Sequence, residues 1–389
     1  MRVTFGVEPR DKGRMARLNP PDAEPLSWGR GPLITIRSVG MLKRMLLTVS
    51  LGLGAGLVQA QEVLRVHGWE GRLAPSVIEA FEKQSGIKVE YSTAASAEDV
   101  LNDGGQSYDV VFPAHFHLPA LIDAQRLQPL DPTRLPNLKE VDPDLLAMLS
   151  GFDGKSRHAV PYLWGTVGLA LNVSKVVDTL GAMPEDTWGL LFDAQNSDRL
   201  KQCGIGMLDA REETLSLLLN YKGRALGRSG PRQIQQAGAE LAALRGKAAS
   251  FGNNSYVEQL ASGKLCMAMA WSGHVLKAAD AGAPLRFVMP REGALMFIDT
   301  MAIPRNAGNV AAAHRFIDYL ASAEANTLNA RDTLFYPVTR IDAPAMTRLA
   351  GERLELVVTG DQRRSFYYLE ALSAKQKSAV DASWAQVSR

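Results

Sequence analysis

From Val63 onward the chain alternates short strand-like and helix-like stretches, and no other feature constrains its fold so tightly. Leu64-Arg65-Val66 reads as a strand. Pro75-Ser76 opens a helix over Val77–Gln84, with Val77, Ile78, Ala80 and Phe81 at helical spacing. Ser85-Gly86 ends it, with glycine where a left-handed cap is wanted. Ile87–Tyr91 is a second strand and Ala97–Asn102 a short helix stopped by Asp103-Gly104-Gly105. Tyr108–Pro113 is a third strand, continuously apolar through Val110-Val111-Phe112, as in sheets covered on both faces. A helix follows over Leu118–Ala124. This alternation predicts a doubly wound parallel α/β sheet.

After the Pro- and Asp-rich connector Pro132–Pro143 the pattern restarts. Val160–Thr166 leads into a strand over Val167–Asn172. Strands are expected at Met207–Asp209, Leu265–Ala270, Arg286–Met289 and Met296–Ile303, and helices at Glu212–Asn220, Val257–Ser262 and Ala311–Ser322. Trp271-Ser272-Gly273-His274 and Phe335-Tyr336-Pro337 read as loops, with a helix running from the first of them through Ala279. There is no long linker, so two α/β units are expected side by side with a cleft between them. In open α/β sheets, ligands sit outside the carboxyl ends of strands. Trp69, between Gly68 and Gly71 at the end of the first strand, is therefore placed to wall a site; the alternative is a loop tryptophan folded back on its own unit.

The N-terminus has a different character. Met41-Leu42-Lys43-Arg44, the uncharged run Met45–Val58 and Val58-Gln59-Ala60 have the layout of a secretory signal peptide over 41–60, with cleavage after Ala60. Met41 is then the expected start, and residues 1–40, rich in Arg, Pro and Gly, an extension without a core. Residues 1–60 hold nine Lys/Arg and four Asp/Glu, so the formal net charge of +2 becomes about −3 in the remainder, with 34 basic and 37 acidic residues. No basic face for nucleic acid is expected. An exported chain with two cysteines, Cys203 and Cys266, suggests a disulfide, the alternative being two buried thiols. His115-Phe116-His117 lacks a third ligand at metal spacing, and no metal or cofactor is expected. No Gly-x-Ser-x-Gly, His-Glu-x-x-His or phosphate-loop motif is present, and Ser272 and His274 are two residues apart, a spacing that rarely converges as a catalytic pair. An enzyme is not expected.

Four stretches together carry a resemblance: Ser85–Val89, Val160–Thr166, Leu208-Asp209-Ala210-Arg211-Glu212-Glu213, and Pro290–Ala294 through Asp299 to Ala302-Ile303-Pro304. The chain over 62–389 resembles the periplasmic polyamine-binding proteins of ABC importers, the spermidine/putrescine type of extracellular solute-binding protein. The resemblance implies a type II periplasmic binding protein fold: one lobe from 61–166 plus 294–338, another from 167–293 plus 339–389, with crossings near Thr166, Gly293 and Val338. It also implies a Cys203–Cys266 disulfide, a small-molecule amine ligand, a permease partner in the inner membrane, a monomer, and a periplasmic location.

A polyamine needs aromatic walls for its methylenes and cation–π contacts, and carboxylates for its ammonium ends. By resemblance the walls are Trp69, Trp271 and Tyr336, the carboxylates Glu213 and Asp299, and the polar contacts Asn253 and Asn254. This chain departs from the family at Gly71, where an acidic residue is usual, at Arg72 (Tyr), at His274 (Asp) and at Ala114 (Ser). Glu70 is the expected substitute for the lost acid. Arg72 either points outward or, pointing inward, suits a carboxylate or acyl group. Two ligands follow: a plain diamine held by Glu213, Asp299 and Glu70, or an amine whose far end is neutral or anionic, such as an acylated polyamine or an amino acid derivative. A sensor that keeps the fold without feeding a transporter is a further expectation.

Overall fold

Among the described residues, eleven strands form one mixed sheet: β1 Val63–Trp69, β2 Lys88–Ala94, β3 Val110–Val111, β4 Ala159–Asn172, β5 Ile205–Met207, β6 Ser250–Phe251, β7 Met267–Trp271, β8 Leu285–Val288, β9 Ala294–Ala302, β10 Tyr336–Pro337 and β11 Phe366–Tyr368. The computed structural model describes residues 61–94, 99–100, 107–154, 158–340, 344–345, 348–349, 358 and 364–389. The expected extension 1–40, the expected signal peptide 41–60 and all but two residues of the helix expected at Ala97–Asn102 lie outside them.

The strand order is β2-β1-β3-β9-β4-β7-β5-β6, with β8 and β10 on β4 and β11 on β9. The expected parallel pairing holds at the two ends, where β1 joins β2 and β3 and where β5 joins β6 and β7. The middle is antiparallel: β9 runs against β3 and β4, and β4 against β7. The reason is that Val160–Thr166 is not a lead-in. It is the first half of β4, a 14-residue strand in which every residue is buried. Its first half lies along β9, and from Val167 it also takes up β7. The register slips between Pro161 and Leu163, at the proline, which has no N–H to give the ladder.

Helices cover the sheet: α1 Pro75–Ser85, α2 Arg211–Tyr221, α3 Pro231–Arg245, α4 Ser272–Asp280, α5 Val310–Ala321, α6 Ala323–Thr333 and α7 Ala374–Val387 are those that matter here. α1 starts on a proline, buries Val77 and Phe81, and ends at Gly86 with φ +73, whose N–H bonds Glu82 O at 2.9 Å. Three of these helices, α3, α6 and α7, carry no expectation from the sequence. α3 buries Ile234, Ala237, Gly238, Leu241 and Leu244, and α7 buries Ala379, Val380, Ser383 and Trp384. They pack so closely that a Cβ on Gly238 would stand 2.5 Å from that of Ser383. Trp271–His274 is not a loop: Trp271 ends β7 and α4 begins at the next residue. Phe335–Pro337 is likewise no free loop, because Tyr336 and Pro337 pair with Trp164 and Leu163 of β4.

Cys203 and Cys266 form a disulfide with Cα atoms 5.5 Å apart, tying the turn before β5 to the residue before β7. Closing a 63-residue separation constrains the unfolded chain by roughly 4 kcal/mol.

Candidate ligand-binding cleft

Strand ends and helix starts converge on a cavity of about 640 Å3. Trp69 at the end of β1 and the turn Glu70-Gly71-Arg72 supply one side, and Phe297 and Asp299 of β9 the floor. Glu213 from the first turn of α2, Trp271 from the end of β7, and His274 and Lys277 from α4 supply the other side. Asn253 and Asn254, after β6, and Trp384 of α7 close the rim. A larger groove of about 750 Å3 lies against α5 and α6 and holds none of the predicted site residues.

The turn after β1 is held by its backbone. Gly71 has φ +70, a conformation that strains any side chain. Tyr91 Oη donates to Trp69 O at 2.6 Å, while Tyr162 Oη and Asn329 Nδ2 donate to Arg72 O at 2.8 and 3.0 Å. With its backbone clamped, Arg72 sends its side chain inward, the second of the two directions the sequence left open. It is 5% exposed, and its Nη1 donates to Asp299 Oδ2 at 2.5 Å. Its guanidinium carbon lies 4.7 Å from the Phe297 ring centre, 5.2 Å from those of Trp69 and Phe335, and 5.3 Å from Trp271. Four rings at such distances form a cation cage, and the cation in it belongs to the protein.

Asp299 is fully buried in β9. Burial pushes its carboxyl above the ordinary range, and Arg72 pulls it back. Beside an arginine, which does not give up its proton in proteins, the carboxylate is the form that fits. The residue implied for a ligand ammonium is therefore already neutralised from within.

Glu213 stands differently. It is 9% exposed, and Trp271 Nε1 donates to its Oε1 at 3.2 Å. Among the described residues it has no ion-pair partner. Burial raises it to about 7, with the Trp271 bond and Arg72 opposing.

His274 is held at both nitrogens, by Tyr256 Oη at 3.1 Å on Nδ1 and by Glu70 O at 3.4 Å on Nε2. Burial, followed by the Arg72 charge, lowers it to about 3, so it is neutral. The network then assigns the proton to Nε2, donated to Glu70 O, with Nδ1 accepting from Tyr256. It brings no negative charge to the cavity.

The other implied residues divide. Trp69, Trp271 and Glu213 line the cavity, as does Asn253, whose Nδ2 donates to Asp209 O at 2.9 Å. Glu70 is exposed at the rim and contributes its carbonyl to His274. Tyr336 is no wall of this cavity: it is 2% exposed and stacked on Trp164, ring centres 4.2 Å apart. The strand pairing of β10 turns it away and leaves the preceding residue, Phe335, facing Arg72. Phe116, Phe297 and Trp384 line the cavity without being marked by the sequence pattern, and Phe335, which packs against Arg72, is not marked either. Phe297 was in reach, since it lies two residues before Asp299 on the same strand face. Among the described residues no group of three His, Cys, Asp or Glu is placed to hold a metal ion.

The family described as bacterial extracellular solute-binding protein matches residues 76–344. The chain belongs to this family. It is 33% identical to the putrescine-binding periplasmic protein SpuD of Pseudomonas aeruginosa, covering 89% of this chain and 99% of that one. It is 31% identical to the putrescine-binding periplasmic protein PotF of Escherichia coli, covering 90% and 96%. A solved structure described as a putative spermidine/putrescine ABC transporter from Listeria monocytogenes superimposes with a TM-score of 0.71 at 26% identity, covering 84% of this chain and 99% of that one. The fold is that of the type II periplasmic binding proteins. The relatives and solved structures this chain matches are binding proteins and not enzymes.

Proposed function

We propose that this solute-binding protein captures an aliphatic amine of the putrescine-related class in the periplasm and presents it to the permease of an ABC importer. The observation that carries this reading is Glu213: a buried carboxylate in an aromatic-walled cavity, bonded by Trp271 Nε1 and lacking a cationic partner among the described residues. A carboxylate so placed is costly to ionise until a cation arrives, and an ammonium is the cation that charge-assisted hydrogen bonding and the flanking indoles favour. The names of the relatives agree with this reading.

Capture proceeds by closure of two lobes as a monomer. In this reading the chain crosses between lobes near Thr166, Gly293 and Val338, and the pairing of β4 with β7 from Val167 supports the first of these. No bond of the ligand is made or broken. Titration calorimetry of the purified protein with putrescine, spermidine and N-acetylputrescine tests the reading. Saturable heat with at least one of them is expected, lost in Glu213→Gln. No heat from any of the three refutes it.

A further inference from the structure

Three polar atoms at one end of the cavity have no hydrogen-bond partner among the described residues, although each is buried: Trp69 Nε1, Arg72 Nε and Asp299 Oδ1. Two are donors and one is an acceptor. Their residues adjoin: Arg72 Nη1 and Asp299 Oδ2 are 2.5 Å apart, and the guanidinium carbon lies 5.2 Å from the Trp69 ring centre. Arg72 and Asp299 are 95% or more buried, so leaving their polar atoms unpaired is costly.

We infer that the ligand end lying against Arg72 is an amide, so that the cleft selects a chain with one ammonium and one amide: an N-acylated diamine or an ω-amino carboxamide. This rests on the proposed function, in which Glu213 takes the ammonium.

An ammonium donates only. It would satisfy Asp299 Oδ1, leave both donors unpaired, and set a second positive charge beside the guanidinium. A carboxylate accepts only. It would satisfy the donors but leave Oδ1 unpaired beside a second negative charge. An amide carries both functions: its carbonyl oxygen has two lone pairs for Trp69 Nε1–H and Arg72 Nε–H, and its N–H meets Asp299 Oδ1. It is also neutral, which suits an end whose own charges already cancel. The charge inventory agrees. The buried charged residues lining the cavity are Arg72, Asp299 and Glu213, and only Glu213 is unmatched. Neutral His274 adds no place for a second ammonium. Arg72 is not free to swing aside, since its backbone carbonyl is held by Tyr162 and Asn329 and its side chain lies among four rings.

Titration calorimetry of the full protein with putrescine, N-acetylputrescine, 4-aminobutanamide and 4-aminobutyrate tests the inference. The two amides are expected to bind at least about tenfold tighter than either putrescine or 4-aminobutyrate, the scale of one buried hydrogen-bond mismatch. In Arg72→Ala that preference should vanish and putrescine should gain. If this variant fails to fold with Asp299 unpaired, Arg72→Ala/Asp299→Asn should likewise lose the preference. Putrescine binding as tightly as the amides, 4-aminobutyrate ranking first, or an unchanged ranking without Arg72 each overturns the inference while leaving the proposed function standing. No heat from any of the four overturns the inference, and if spermidine is silent as well the proposed function falls with it.

Discussion

The charge state of Glu213 makes ligand binding pH-dependent with a calculable sign and size. Burial raises this carboxyl to about 7 in the empty cavity. A ligand ammonium, with an ordinary pKa of about 10, stays charged throughout, and it binds the ionised carboxylate. Affinity should therefore rise with pH and level off above about 8. Between pH 8 and pH 5 the ionised fraction of a group titrating near 7 falls from about 90% to about 1%, so the dissociation constant should rise by nearly two orders of magnitude. At pH 7 binding should release about half a proton. Calorimetry in buffers of different ionisation enthalpy reads both quantities. Stability of the empty protein runs the opposite way. Because the folded pKa is raised, the stabilising contribution is complete below the ordinary glutamate range, near 4.5, and is lost as pH rises through about 7. The amount is roughly 3 kcal/mol, visible as a difference in thermal midpoint between the native protein and Glu213→Gln that widens from pH 4.5 to pH 7.5. A dissociation constant flat between pH 5 and pH 8 with no proton release would refute the reasoning.

Trp271→Ala should weaken binding of the ligand at least about tenfold in calorimetry, since it removes an aromatic wall and the one hydrogen bond Glu213 receives from Trp271 Nε1. Tyr336→Leu should leave affinity within about twofold, because its ring stacks on Trp164 away from the cavity. Its cost should appear instead in denaturant unfolding as roughly 1 kcal/mol or more, on the scale of a lost aromatic pair. Replacing Cys203 and Cys266 by Ala should lower unfolding stability by up to roughly 4 kcal/mol and leave the dissociation constant unchanged, since neither cysteine lines the cavity.

Much of this architecture was legible in the order of the residues because the alternation of apolar strands with helices is a local signal. Val110–Val111, the helix from Pro75 and its glycine cap all follow from near neighbours in sequence. What escaped was decided at long range. Nothing between Val160 and Asn172 reveals that one strand will serve two sets of partners, since a buried strand looks the same whichever neighbours it takes. α7 is a mixed case: its buried face sets Ala379 and Ser383 beside Val380, Trp384 and Val387, and only the closeness of Gly238 to Ser383 turns the small positions into a packing surface, whereas Ile234, Ala237, Leu241 and Leu244 of α3 recur at a plain helical spacing. By resemblance Tyr336 is a wall of the cavity. Pairing with β4 fixed which of two adjacent aromatic side chains faces inward, and it chose Phe335. A one-residue shift in a strand exchanges faces, and no local signal specifies it.

Arg72 marks the boundary between these two kinds of information. Its identity was visible as a departure from the family, and its consequence was conditional on direction. The direction comes from contacts far away in sequence: Tyr162 and Asn329 on its backbone, Asp299 on its head, and rings from β1, β7, β9 and the turn before β10 around its charge. Inward, the guanidinium occupies the position and aromatic cage that a second ligand ammonium would need, and it takes one oxygen of the carboxylate that would have received it. The loss of acidic character at Gly71 and His274 then fits with Arg72, because an end that supplies its own cation has no use for further counter-charge. The pair of Arg72 with Asp299 costs desolvation that hydrophobic side chains would avoid. That cost has a use if the two polar atoms the pair leaves without partners are recognition groups, and a neutral amide satisfies both of them without unbalancing the charge.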